Sequence, residues 1–356
     1  MKKWSLSLCA LGLGLLSTSA SAQIFKLTYT PNNMRPPLET QTIQAELKKI
    51  EDDINSGLPK TDNPERLMKG MANSSVMSGK GVGSDYASHM QVALLGVGVG
   101  VGADLEKDKQ TDSDLSGVGL QGGVLIGTNL GWLTSSSILG MEPGKLNVYT
   151  NFFAYNYEMN QDKTNAKAEL GSWGVHVAYD IIQRQGSRLF GWNGVKIHTG
   201  YEYTKMKLKV NSDLNETLSA TVGPNTYSSS LTGKPAAEID VATHSIPVEV
   251  SSSFNFLYLF TMYGGLGADL NFGEARGKGN INTNQANVDC TGGCAGNVGK
   301  VNATANMSGK GQVNPFLFRT FAGLQFNLPY TRIFVQTDKA LGNELVGATA
   351  GVRFVY

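Results

Sequence analysis

His176 with Asp180, and His198 with Glu202, repeat one four-residue separation in two successive stretches of the chain. A histidine served by a carboxylate is the base-and-orienter half of many hydrolytic sites. Both stretches alternate apolar and polar residues, however, and four residues along a strand cover about 13 Å, too far for a direct pair within one strand. The nucleophile is also missing, since no G-x-S-x-G elbow occurs. These residues are therefore expected to form a polar network between neighbouring strands, and no enzymatic activity is expected.

Other chemistry-bearing patterns fail on context. Gly98 to Ala103 fits G-x-G-x-x-A, but the glycines sit inside a strand pattern and no helix opens after them, so dinucleotide binding is not expected. Asp112-Ser113-Asp114 mimics the start of a calcium loop, yet the twelfth position is Gly123 where a bidentate carboxylate is needed. No Gly-Lys pair is followed by Ser or Thr, as a phosphate loop requires. No cofactor or metal is expected.

The start of the chain sets the compartment. Lys2 and Lys3 precede an apolar run from Trp4 to Leu16, and Ala20-Ser21-Ala22 gives a small-x-small cleavage pattern, so residues 1–22 read as a cleaved signal peptide. Export brings an oxidising environment, in which Cys290 and Cys294, around the spacer TGG, are expected to form a disulfide that shapes a loop tip. The 30 basic and 29 acidic residues nearly cancel, which leaves no electrostatic footprint for nucleic acid. No later run is long and apolar enough for a membrane-spanning helix.

The elements that must position these residues fall into two regions. In residues 23–84, Ile43, Leu47, Ile50 and Ile54 recur at helical spacing, stopped by Gly57 and Pro59, which predicts one amphipathic helix. A Pro-interrupted, Gly/Ser-rich connector is expected after it. From residue 85 to 356 the period becomes two. Ten strands are predicted, near 88–105, 115–128, 145–159, 167–183, 194–210, 238–253, 256–272, 312–327, 331–339 and 345–356. The odd-numbered connections are polar and include the two longest, 211–237 and 273–311, whereas two of the even ones are tight. This is the asymmetry of short periplasmic turns and long external loops.

The ending ATAGVRFVY, with Val352, Phe354 and Tyr356 at alternate positions, resembles the C-terminal signature of Gram-negative outer-membrane β-barrels, which the barrel assembly machinery reads. The resemblance implies an all-β, closed, antiparallel up-and-down barrel in the outer membrane, with membrane lipid and that machinery as partners. It implies no substrate and no oligomeric state. A strand-built span must close to pair every backbone group, with an apolar outer face and an inner face free to be polar or small. The alternation LLGVGVGVGADL then puts Leu95, Val97, Val99 and Val101 toward lipid and Gly96, Gly98, Gly100 and Gly102 inside, joined by Gly117 and Gly119 on the next strand.

Such a bare wall suggests close approach by something else, and the segment 23–84 is expected to pack on it as a partial plug or to cap the periplasmic mouth. Because a helix is about 10 to 12 Å across and a barrel near eight strands holds little beyond its own side chains, the helix is expected to stay at the mouth unless residues 24–30 and 135–141 add strands to make twelve. Inward polar positions include His176, Asp180, His198, Glu202, Asp269, Arg319, Arg332, Asp338 and Arg353. The function expected is a narrow or plugged channel for passive passage of small solutes. The alternative is a non-conducting structural or adhesin-like barrel acting through its external loops.

Overall fold

The computed structural model describes residues 26–32, 41, 43–49, 51–52, 64–88, 90–105, 116–161, 163–183, 185–186, 190–222, 224–292 and 296–356. The expected signal peptide, His89, the Asp112–Asp114 loop and Cys294 lie outside them.

The period-two segments become ten strands joined in a ring. These are β2 (Ala93–Asp104), β3 (Gly117–Asn129), β4 (Leu146–Gln161), β5 (Thr164–Ile182), β7 (Phe190–Ser212), β10 (Ala236–Phe256), β11 (Phe260–Asn282), β14 (Phe316–Asn327), β15 (Thr331–Ala340) and β16 (Leu345–Val355). Each pairs antiparallel with the next, and β16 closes on β2 from Leu345↔Asp104 to Val355↔Leu94. The two-residue β6 (Gln185–Gly186) only borders the start of β7. The ten strands expected from alternation are the ten of the ring. The proposed extra pair does not join it: β1 (Lys26–Pro31) pairs with β13 (Gly296–Gln312) outside the ring, and 135–141 supplies only the bridge Ile138↔Met141.

The alternation separates two surfaces. Outward residues are exposed and apolar, among them Val97, Val99, Leu120, Leu266, Phe318 and Val335, whereas inward Arg319, Arg353, Asp269, Glu249 and His198 are buried. On β11 the outward belt runs from Phe260 to Phe272, about 40 Å along the strand and, at a tilt of about 40°, roughly 30 Å in height, the thickness of a bilayer core. At one end the strands join through tight connections. One holds Leu257 and Tyr258 and another Tyr330, all in left-handed backbone.

At the other end five strands, β4, β5, β7, β10 and β11, run on past β3 and β14 into an arm. β11 leaves β14 at Leu270↔Phe316 and takes up β13 from Glu274↔Gln312. Gly273 sits at this switch with φ +126°, where an added Cβ would lie 2.2 Å from the Ala242 carbonyl, so no other residue fits without displacement. The hairpin β8 (Leu214–Val222) and β9 (Asn225–Gly233), together with β12 (Ala286–Thr291), widens the arm. Polar connections had been expected here. Their Ser, Thr and Asn content hides a strand pattern that is half-buried on one face only.

The arm has its own core of Leu27, Tyr227, Leu231, Val288, Val298 and Val301, against which Ile43 of the helical stretch 43–49 is buried. Glu51 accepts a hydrogen bond from the Leu27 amide at 2.9 Å. The amphipathic helix therefore stands beside the arm, not at the mouth next to the tight turns as expected. Ile43 and Leu47 of its apolar stripe pack on the core that β1, β9, β12 and β13 provide, whereas Ile50, Ile54, Gly57 and Pro59 lie outside the described residues.

Candidate functional site: a helix threaded through the lumen

The segment expected to be a connector contains a buried helix, α1 (Pro64–Ser78). Pro64 suits the first helical position and Glu65 the positive end of the helix dipole. Gly81, with φ +80°, follows the last turn. From Gly70 on α1 is buried on every side, with Glu65 and Lys69 exposed in its first turns, and each side meets different chemistry. Gly70, Ser74 and Ser78, four residues apart, lie on one side and face the glycine wall. Cβ atoms added at Gly100, Gly102 and Gly119 would come 2.1, 2.2 and 2.3 Å from the carbonyl oxygens of Ser78, Ser74 and Ser74, and one at Gly117 would come 2.1 Å from the Gly70 carbonyl carbon. Met68, Met71, Ala72 and Val76 pack against Met206, Ile239, Val241, Ala275 and Val313. Met77 meets Leu317, Ala340 and Leu345.

A whole helix therefore runs inside a ten-stranded ring, against the size argument made from sequence. That argument allowed for wall side chains at every inward position, and β2 and β3 carry none at Gly100, Gly102, Gly117 and Gly119, where α1 lies against them, although Asp104 and Gln121 still point inward nearby. Gly96 and Gly98 serve differently: the first makes room for the Arg353 side chain, the second faces Phe334 and Val82.

Below α1 the chain continues down the lumen through residues 79–88, and just before β2 Val92 donates to the Tyr356 carbonyl at 2.9 Å. The inward side chains of the wall clasp this stretch. Arg353 donates to Asp85 Oδ1 at 3.1 Å, to the Ser84 carbonyl at 2.6 Å and to the Gly81 carbonyl at 3.2 Å, and its guanidinium lies 3.6 Å from the centre of the Phe334 ring. The Asp85 carboxylate also accepts from the amides of Ala87 and Ser88, which folds the loop on itself. Lys80 is buried between Glu202 at 2.8 Å and Asp269 at 3.3 Å. Arg319 donates to Asp269 at 3.0 Å, to Asp338 at 2.6 Å and to Glu249. Lys196 donates to the Ser88 carbonyl at 3.1 Å and lies 3.6 Å from Asp180. Tyr86 is wedged among His198, Tyr263 and Phe321, with ring centres 4.9, 5.8 and 4.7 Å away.

Eight of the nine inward residues named from sequence thus meet in this network. His176 approaches Glu202 at 3.8 Å across the β5–β7 pair. Arg332 does not join. It donates to the Leu328 and Thr331 carbonyls at the tight turn, because it stands at the rim where those carbonyls lie closer than any lumen carboxylate. Sequence reasoning missed Glu249 and Lys196, which alternation could have found. Glu249 stands two places from inward Ser251, and Lys196 two places from inward His198, so each shares the parity of a buried neighbour. Lys80, Asp85 and Tyr86 belong to the threaded stretch, where no alternation marks them.

Ser251 Oγ lies 3.2 Å from His198 Nε2, a nucleophile-and-base spacing, but the other ring nitrogen has no hydrogen-bond partner to orient it and Tyr86 covers the pair. Among the described residues no His, Cys, Asp and Glu group could hold a metal ion. On the outer face, Phe354 and Tyr356 are exposed and Val352 is half-buried. Cys290 is buried in the core of the arm.

The model of the Lsa36-like family matches residues 21–356. The chain belongs to the Lsa36-like family. No curated protein matches it. Among solved structures it is similar to the translocator domain of the autotransporter NalP from Neisseria meningitidis, with 9% identity over 89% of this chain and 98% of that one and a TM-score of 0.31. It is also similar to the toluene transporter TbuX of Ralstonia pickettii (7% identity, 81% and 99% covered, TM-score 0.26) and to Ail, the attachment invasion locus protein of Yersinia pestis (12% identity, 74% and 100% covered, TM-score 0.23). The ring of strands, its apolar outer belt and its polar interior are the architecture of an outer-membrane β-barrel.

Proposed function

We propose that this protein is an outer-membrane barrel closed at rest by its own N-terminal segment, and that it acts chiefly through the arm held outside the membrane. The observation that carries this reading is the contact of α1 with the glycine wall, continued downward by the hold of Arg353 on residues 81–85 and of Glu202 and Asp269 on Lys80, Asp269 being fixed in turn by Arg319. A lumen occupied by a helix, buried ion pairs and the Tyr86 cluster leaves passive passage of small solutes to a state in which that segment has moved. Pairs of this kind are costly to separate, since removing one partner of a buried pair costs about 3 to 5 kcal/mol.

The reading includes a cleaved leader at residues 1–22, assembly through the end bearing Val352, Phe354 and Tyr356, and a Cys290–Cys294 disulfide that shapes the edge of the arm. Conductance across planar bilayers tests the closed state. The intact protein is expected to be silent, and a variant lacking residues 23–84 to give steps. Steps from the intact protein that persist when Asn73→Cys and Asp104→Cys are crosslinked would contradict it, because those side chains hydrogen-bond at 3.2 Å and the link would fix α1 in the lumen.

A further inference from the structure

The arm is tall on one side of the barrel only, and its outward surface there is charged in a regular pattern. The outward aromatic residues Trp173, Tyr203, His244 and Phe272 stand side by side on β5, β7, β10 and β11, at the top of the apolar belt. Aromatic girdles of this kind mark the membrane–water interface. The next three outward positions of β7 are Lys205, Lys207 and Lys209, in the stretch KMKLK, whose Met206 and Leu208 face the other way. Pairing places Lys207 opposite Asp240 and Lys209 opposite Glu238, and these face Arg276 and Lys278 of β11. Arg276 in turn is opposite Lys310 of β13.

The carboxylates only partly neutralise this lattice. Glu238 lies 3.1 Å from Lys207 and 3.5 Å from Lys209, Asp240 lies 3.9 Å from Lys207, Glu169 of β5 stands opposite Lys207, and Glu274 pairs with Arg276 and lies 2.8 Å from Lys310. Lys205 and Lys278 are exposed and take part in no ion pair among the described residues. Beside them an open cavity of about 540 Å³ is walled by Lys209, Glu238, Lys278, Asn280, Asn306 and Ser308. On the short side of the barrel β2, β3 and β14 end in outward apolar residues such as Leu105, Val118, Phe316 and Phe318, and the outward Lys339 of β15 is paired with Glu344 at 2.7 Å. The charge is thus not a general feature of the rim.

We propose that this lattice docks the phosphorylated headgroup of an outer-leaflet glycolipid, its phosphates held by Lys205, Lys207, Lys209 and Lys278 and its sugar lying against the polar cavity. The assignment rests on the outer-membrane reading, which puts the first charged rung about 7 Å along the strand beyond the aromatic row, at headgroup level. Surface lysines directed sideways at that level meet lipid headgroups, and charge complementarity selects the anionic ones. Phosphate suits the site further because ammonium and guanidinium groups both donate to its oxygens.

The test compares bis-phosphorylated lipid A with its dephosphorylated form, each in the same neutral detergent micelles, for binding to the purified full chain. The phosphorylated form is expected to bind more tightly, with affinity falling as salt is raised. Lys205→Gln, Lys207→Gln and Lys209→Gln together are expected to weaken it by on the order of 100-fold, at roughly fivefold per cation, while the corresponding Lys→Arg variant retains binding. Heat-modifiable gel migration confirms that each variant keeps its barrel. Equal binding of the two lipids, or unchanged affinity in a folded Gln variant, would overturn the proposal, as would equal competition by inorganic phosphate. Failure of the outer-membrane reading itself shows separately, as a protein that remains monomeric without detergent.

Discussion

The two halves of the lumen wall solve the same problem in opposite ways. On β2 and β3 the wall is bare where α1 lies, and the backbone of α1 comes up against Gly100, Gly102, Gly117 and Gly119. On β7, β10, β11 and β14 the wall is built of Met206, Ile239, Val241, Glu249, Asp269 and Arg319, which pack on α1 or grip the chain beneath it. One half makes room and the other supplies the binding. Strand number alone therefore does not set what a small barrel can hold. Removing side chains from two neighbouring strands gains the space of a helix without widening the ring.

Filling the roomy half is expected to have the largest effect. Gly102→Leu puts a side chain where the Ser74 carbonyl stands, and neither backbone can move without losing its own pairing. Overpacking typically costs about 1 to 3 kcal/mol. Here the cost is expected at or above that range, with α1 driven out and residues 64–78 open to protease in the folded barrel. Next comes the gripping half. Arg319→Met leaves Glu249, Asp269 and Asp338 facing one another and is expected to cost about 3 to 5 kcal/mol in detergent unfolding experiments. Arg319→Lys should recover part of this, since it restores charge but not the planar fork that reaches three carboxylates.

A smaller effect separates two positions within a single strand. At Gly98 an added Cβ would meet nothing closer than the Ala350 carbonyl oxygen at 3.4 Å. Gly98→Ala is therefore expected to change stability by under about 1 kcal/mol, while Gly100→Ala, whose Cβ would lie 2.1 Å from the Ser78 carbonyl oxygen, destabilises clearly. Equal effects at the two positions would remove the helix from its role in selecting glycine.

The barrel was legible because each of its strands buries one face only, and alternation reports that directly. Inward Arg319, Asp269 and Asp338 could be named from parity even though their partners could not. The threaded helix was illegible for the converse reason. Its sides meet glycine, methionine and valine in turn, so no polar face offsets an apolar one, and Gly70, Asn73, Ser74, Ser75 and Ser78 read as a loop. Lys80 and Asp85 were lost with it. In the arm, β8 and β9 carry Ser, Thr and Asn at positions that a sheet covers on one side only, which weakens the period that betrays a strand. The glycine alternation was the one signal of the helix visible from outside it, and it pointed to a partner without saying which.

The proposed action through the arm depends on orientation: the end that bears the arm and β1, from which the chain enters the lumen, must lie at the cell surface. Thr28 of β1 is exposed, and Ser136, in the connection between β3 and β4, is exposed at the opposite end. In intact cells a membrane-impermeant maleimide is predicted to label Thr28→Cys, and to label Ser136→Cys only after the outer membrane is opened. Labelling of Thr28→Cys only after opening would place the arm on the inner side and contradict its proposed action outside the membrane.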